Sequence, residues 1–392
     1  MPRVIVAAIL LTALLSCAKK KPAEVDTASV PTTAFYYWQT SLGAFDWNDS
    51  LAQTMNIRKV YCRFFDVDWS EAAHAPVPVS PLHHYLYDRL WKPKTALVPV
   101  VFITNETFKK LHRDSVKMLA RNVHRMVMAK ITTLTMDTVS VRDYHYYLEE
   151  GTEKSYRVTS KRFDEQHVYD SIYQAKLSTI REIQFDCDWT TSTKDKYFSF
   201  LTEVKKLFAQ QTVTSTIRLY QYKYPQLAGV PPVKRGMLMC YNAGDIRDSK
   251  TVNSIFNKKE IMSYLDAGTY PVALDYALPV FSWALLYRNG ELKSILSNGE
   301  LQETHKRHLF RQNKTHYTVT EDFVYGDDNN SLLVRSGDDI RIEEPDLAAV
   351  NEVAAWLGEH KNNPEAILSL YQLNNHDLQK HATEIQTLFR SF

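Results

Sequence analysis

Short runs of β-branched and aromatic residues alternate along the chain with longer stretches whose apolar residues recur at helical spacing. This is the pattern of βα units around a parallel sheet. The runs predict eight strands, at 35–39, 59–65, 96–103, 182–188, 214–221, 236–241, 272–277 and 367–372. Between them the periodicity predicts helices at 49–55, 82–91, 114–130, 194–210, 250–265 and 347–360, and a closing helix over 377–389. In 114–130, for example, Val116, Met118, Leu119, Val123, Met126 and Val127 recur with helical spacing. Eight strands with intervening helices over 33–392 predict an α/β fold, a (β/α)8 TIM barrel. Two segments break the alternation. Residues 137–164 are polar and rich in Tyr, Glu and Arg, and read as a loop or hairpin excursion before the fourth strand. Residues 291–344 alternate in strand fashion around Gly-Asp-Asp turns and predict a small antiparallel insertion between the seventh and eighth strands.

The first residues form a separate unit. Arg3 precedes an apolar run from Val4 to Leu15, far shorter than the roughly 20 residues that cross a bilayer core, so 1–16 reads as a secretory signal. The ending Leu14-Leu15-Ser16-Cys17 resembles the bacterial lipobox, whose cysteine is lipidated and becomes the mature N-terminus. Residues 17–32, with Lys19, Lys20 and Lys21, would then be a polar tether. On this reading the protein is held at the bacterial cell envelope, at the outer membrane, by a lipid on Cys17, and does not span the membrane.

Composition narrows the function classes. Forty-seven Lys+Arg against 45 Asp+Glu leave a net charge of +2, too small a field to collect nucleic acid. The 23 Tyr, 17 Phe and 7 Trp are more aromatic surface than a core alone requires, so some rings are expected on a binding surface. Cys62, Cys187 and Cys240 are odd in number, lie inside predicted strands and have no metal-type spacing, which reads as small buried thiols. No phosphate loop, GxGxxG, GxSxG or HExxH occurs, and the histidines form no ligand-spaced cluster; neither a cofactor nor a metal is expected, and the protein reads as a monomer.

The sharpest chemistry lies in Glu182-Ile-Gln-Phe-Asp-Cys-Asp-Trp-Thr190. Period-two alternation turns Gln184, Asp186 and Asp188 toward the barrel axis, and Ile183, Phe185, Cys187 and Trp189 toward the helices. Two carboxylates on one strand face repel, raising one pKa unless a cation stabilises them; Arg63 and Arg218 are the candidate partners. At the C-terminal end of a barrel strand such acids belong to an active-site face, or else to a polar network that supports the barrel.

Residues 183–190 resemble the fourth-strand signature DGxDxDxE of the family-18 glycoside hydrolases, the chitinase-like barrels, with Asp186 and Asp188 on the two inner aspartates. Ile183 and Gln184 replace the first Asp-Gly, and Thr190 stands where the catalytic glutamic acid belongs. Met239-Cys240-Tyr241-Asn242 resembles the sixth-strand MxY[DN] motif of that family. The resemblance implies a polysaccharide or oligosaccharide as partner, with Asp186, Asp188 and Tyr241 in the catalytic positions. In that family the glutamic acid protonates the leaving oxygen while the substrate's N-acetyl group attacks the anomeric carbon. A threonine hydroxyl does not ionise near neutral pH, so hydrolysis would need another acid: Asp66, Asp68, Glu106 or Asp275, each expected near the same rim. Sugar rings and edges would meet Trp38, Gln39, Trp189, Tyr220, Gln221, Asn242, Asp275 and Trp283, with Trp69, Tyr222 and Tyr276 as further rings. The readings that stand are a lipoprotein that cleaves a glycan with a relocated acid, one that binds a glycan or protein without cleaving it, and an envelope scaffold.

Overall fold

The computed structural model describes residues 32–39, 53–82, 95–149, 177–242, 244–248, 251–266, 268–326 and 331–392. The expected signal, Cys17 and its tether, and most of the helices expected at 49–55 and 82–91 lie outside the described residues.

Eight strands, Ala34–Tyr37, Lys59–Ser70, Ala96–Ile103, Glu182–Asp186, Thr212–Arg218, Arg235–Met239, Ala273–Pro279 and Leu368–Tyr371, pair in parallel each with the next. The eighth pairs with the first, Phe35 opposite Leu370, and closes the ring. The fold is the (β/α)8 barrel that the alternation predicts. The second strand runs past the ring and pairs antiparallel with Ala75–Val79.

Alternation along the fourth strand sorts its side chains as period two requires. Phe185 packs edge-on against Phe200 of the helix Lys194–Leu207, at 5.1 Å between ring centroids. Glu182, Gln184 and Asp186 enter the barrel and meet partners there, as buried polar groups must. At the base, Lys59 Nζ lies 2.6 Å from Glu182 Oε2, and the Thr214 hydroxyl donates to Glu182 Oε1 at 2.8 Å. Arg235 and Asp275 approach to 3.6 Å in the same tier. One tier higher, the Tyr36 hydroxyl donates to Gln184 Oε1, and the Tyr36 ring stacks on Tyr61 at 4.8 Å. Cys62, Cys187 and Cys240 are free and buried, and burial pushes each thiol pKa up.

Some expected elements change. Residues 137–149 are helical, continuing the 34-residue helix Val116–Glu149, where polarity alone suggests a loop or hairpin. The helix expected at 250–265 spans only Lys258–Leu265, because Asn257 caps it by accepting from Glu260 N at 3.2 Å. The closing helix is two, Asn375–Lys380 and Ala382–Ser391. Among the described residues no helix is long and apolar enough to cross a membrane.

The insertion after the seventh strand is a five-stranded antiparallel sheet of Trp283–Arg288, Glu291–Ser297, Leu309–Arg311, His316–Val319 and Asp339–Glu343. It starts before the expected residue 291, because Asn289 and Gly290, at φ 54° and 77°, turn a hairpin there. Ala284, Leu286, Val319 and Ile340 help build its own apolar core. A fully buried pair, Arg341 Nε and Glu343 Oε1 at 2.7 Å, ties it to the loop after the sixth strand. Glu343 Oε2 accepts from Ser254 N at 3.0 Å and Trp283 Nε1 at 2.8 Å, and Arg341 Nη1 donates to the Asp248 carbonyl at 2.8 Å.

Candidate functional site

At the C-terminal rim, the strand ends bring the two acids of the fourth strand to one cation. Arg218, last residue of the fifth strand, donates from Nε to Asp188, and its Nη2 lies 3.7 Å from Asp186 Oδ1. Asp186 is only 3% exposed and also accepts from the Thr216 hydroxyl at 2.6 Å. Burial pushes its carboxyl above the usual range; Arg218 and Thr216 pull against that rise, and Asp188 and Asp66 add to it. The Asp188 side chain, two residues on, is 52% exposed.

Local chain geometry sets this arrangement. The Gln221 side chain accepts from Arg218 N at 2.7 Å and donates to the Trp189 carbonyl at 3.0 Å. It thus ends the fifth strand, starts the short helix Leu219–Lys223 and fixes the segment that carries Asp188. In the second strand an irregularity between Arg63 and Phe65 puts Arg63 and Asp66 on one side. The two form a two-point ion pair, with Nε to Oδ1 at 2.7 Å. Arg63 therefore serves Asp66, not the acids of the fourth strand, and its guanidinium lies over Trp38 at 5.5 Å.

Beside the Asp188–Arg218 pair opens a cavity of about 380 Å³, whose lining includes Tyr220, Gln221, Tyr241, Asn242 and Tyr264. Tyr220 is 50% exposed. Tyr241 is buried, its ring stacked on Tyr371 at 5.1 Å and its hydroxyl directed at Met239 Sδ. Asn242 adopts a left-handed backbone, φ 55°, which an asparagine tolerates, and its N–H donates to the Ile255 carbonyl at 2.8 Å.

Several expected residues lie elsewhere or are otherwise engaged. Trp189 faces the helices, as strand alternation alone requires: it is buried, stacks on Tyr197 at 5.2 Å and donates from Nε1 to the Ala228 carbonyl. Asp275 sits in the base tier at the opposite end of the barrel, with Arg235. Glu106 lies on the outer helix Asn105–Lys110, 3.2 Å from Lys109 and 3.4 Å from Lys110, and these lysines hold its carboxyl below the usual range. Asp68 accepts from Trp69 N and the Thr104 hydroxyl, bracing a strand end. Thr190 is an exposed turn residue whose N–H donates to Thr193 Oγ1. Trp38 joins the Tyr36 and Tyr371 rings at 6.2 and 5.9 Å, Gln39 follows it half-buried, and Trp283 is held by Glu343. Tyr371 and Tyr264 escaped the sequence reading. Tyr371 ends the eighth strand and was findable by position; Tyr264 comes from a helix and carried no such signal.

No known protein family matches the sequence, and no curated protein matches it. Solved structures do. The family-18 chitinase of Cycas revoluta, described in complex with (GlcNAc)4, is similar over 92% of this chain and 99% of its own, at 9% identity and a TM-score of 0.44. A fungal endo-beta-N-acetylglucosaminidase of the same family is similar over 92% and 98%, at 6% identity and 0.39. Concanavalin B is similar over 93% and 99%, at 12% identity and 0.36.

Proposed function

We propose that the barrel mouth binds an oligosaccharide without hydrolysing it, in a protein tethered to the cell envelope through Cys17. One observation carries this: Arg218 takes up both acids at the end of the fourth strand. Glycoside hydrolysis needs a protonated acid within reach of the leaving oxygen and a second carboxylate across the sugar. Burial raises the Asp186 carboxyl pKa, but the group lies beneath Arg218 and Thr216, out of reach of a leaving oxygen. Asp188 is reachable but ion-paired. Asp66 is chelated by Arg63, Asp68 and Glu106 are committed outside the cleft, and Asp275 is at the other rim. What remains suits binding: the Tyr220 and Tyr264 rings for sugar faces, and Asn242, Asp188 and Arg218 for hydroxyl edges. The motif resemblance of 183–190 and 239–242 points to the same ligand class.

The test is a panel of oligosaccharides titrated by calorimetry, with mass analysis after long incubation. The expected result is saturable binding without cleavage products, weakened about fivefold to tenfold by Tyr220→Ala. Products that vanish in Asp188→Asn would make the protein a hydrolase. Absence of binding across the panel would end the glycan reading.

A further inference from the structure

We infer that the oligosaccharide bound in this cleft carries an anionic group, a carboxylate or sulfate, seated on Lys223; this rests on the glycan reading of the mouth. Lys223 closes the short helix that leaves the fifth strand. Its ammonium lies 5.0 Å from the Tyr264 ring centroid and 5.7 Å from that of Tyr224. Tyr224 in turn lies 5.1 Å from Tyr220, and Tyr220 and Tyr264 line the cleft. The charge therefore stands among the rings that would carry the sugar.

Three other cations of this rim are committed among the described residues. Arg218 holds Asp186 and Asp188, Arg63 holds Asp66, and Lys194 donates to the Leu227 carbonyl at 3.0 Å. Lys223 makes no ion pair and no hydrogen bond among the described residues, so it does not serve the carbonyls at its own helix end. Glu260, one turn before Tyr264 on the same helix, raises the Tyr264 phenol after burial has done so, but forms no ion pair with Lys223. An ammonium over two aromatic faces keeps its three donors for an acceptor outside the rings. A neutral sugar would give them only hydroxyls, whereas a carboxylate or sulfate gives charge-assisted hydrogen bonds.

The experiment compares matched oligosaccharides: a uronic-acid oligomer with its carboxyl-reduced neutral counterpart, and a sulfated oligomer with its desulfated form. Affinities are read by calorimetry at low and high salt. The acidic member of one pair should bind about tenfold tighter, and that advantage should shrink in about 0.5 M salt. Lys223→Gln should bring the ratio of acidic to neutral affinities to about one, and Glu260→Gln should raise it about twofold. Which pair shows the preference identifies the group. A neutral form that binds as tightly as its acidic partner in both pairs, or a preference that survives Lys223→Gln, overturns this inference while the glycan reading stands. If no member of either pair binds, both fall.

Discussion

Asp275 offers a quantitative test of the barrel's polar base. Its side chain is 2% exposed, and burial raises its carboxyl pKa to about 6, although Arg235 at 3.6 Å and the Ile367 N–H, donating at 3.0 Å, both favour the charged form. Against an unfolded value of about 3.9, that rise of about two units corresponds to about 3 kcal/mol. The sign follows from proton linkage. The folded state holds the proton more tightly, so this group's stabilisation is fully present below about pH 4 and is lost as pH rises through about 6. Asp275→Asn does not titrate, and its amide oxygen can still accept from Ile367. Arg235 retains Glu365, 3.7 Å away. The stability of the variant minus that of the native protein should therefore grow by about 3 kcal/mol between about pH 3 and pH 7.5. Urea unfolding across this range measures the difference, and any constant offset from the amide drops out. A difference that stays flat with pH would show that burial does not prevail over Arg235 at this site.

Other perturbations probe the rim, the insertion and the anchor. Arg218→Gln should cost about 2–4 kcal/mol of stability by leaving Asp186 buried with one hydroxyl donor, and Asp186→Asn in the same chain should recover most of that loss in denaturant titration. Additive losses would mean that the pair is not coupled. Glu343→Gln should destabilise by about 3 kcal/mol, because Arg341 stays fully buried without its counter-charge. Glu344→Gln, which frees the surface Lys380, should cost under about 1 kcal/mol; equal costs for the two would contradict the burial argument. Cys17→Ser should abolish metabolic labelling by a fatty-acid probe and move the protein from the membrane to the soluble fraction of bacterial cells, and persistent labelling would remove the lipid anchor.

The residues that could be read from sequence are those whose environment is set by their own strand. Period two on 182–188 placed Asp186 on the axis, and the same alternation turned Trp189 outward, against its use as a sugar platform. Asp275 shows the limit. Its strand was found, but an expected end at 277 puts the acid close to the upper rim, whereas the observed strand reaches Pro279 and leaves Asp275 in the base tier. Two residues of strand length thus decide between a site and a foundation. Tyr220 and Gln221 read as strand because they continue a run of β-branched and aromatic residues; the turn into a helix comes from Gln221 accepting from Arg218 N, with an arginine at a position where a local signal would be Ser, Thr, Asp or Asn. The reach of Arg218 to Asp186 and Asp188 depends on the lateral register of neighbouring strands, thirty and more positions apart in sequence. A carboxylate at a strand end therefore marks the face where chemistry is done, while its accessibility and protonation are fixed by a neighbour the pattern does not reveal. At this mouth that neighbour is a shared guanidinium, which pairs with the exposed Asp188 and lies 3.7 Å from the buried Asp186, and on that pairing rests the proposal that a sugar is held there and not cleaved.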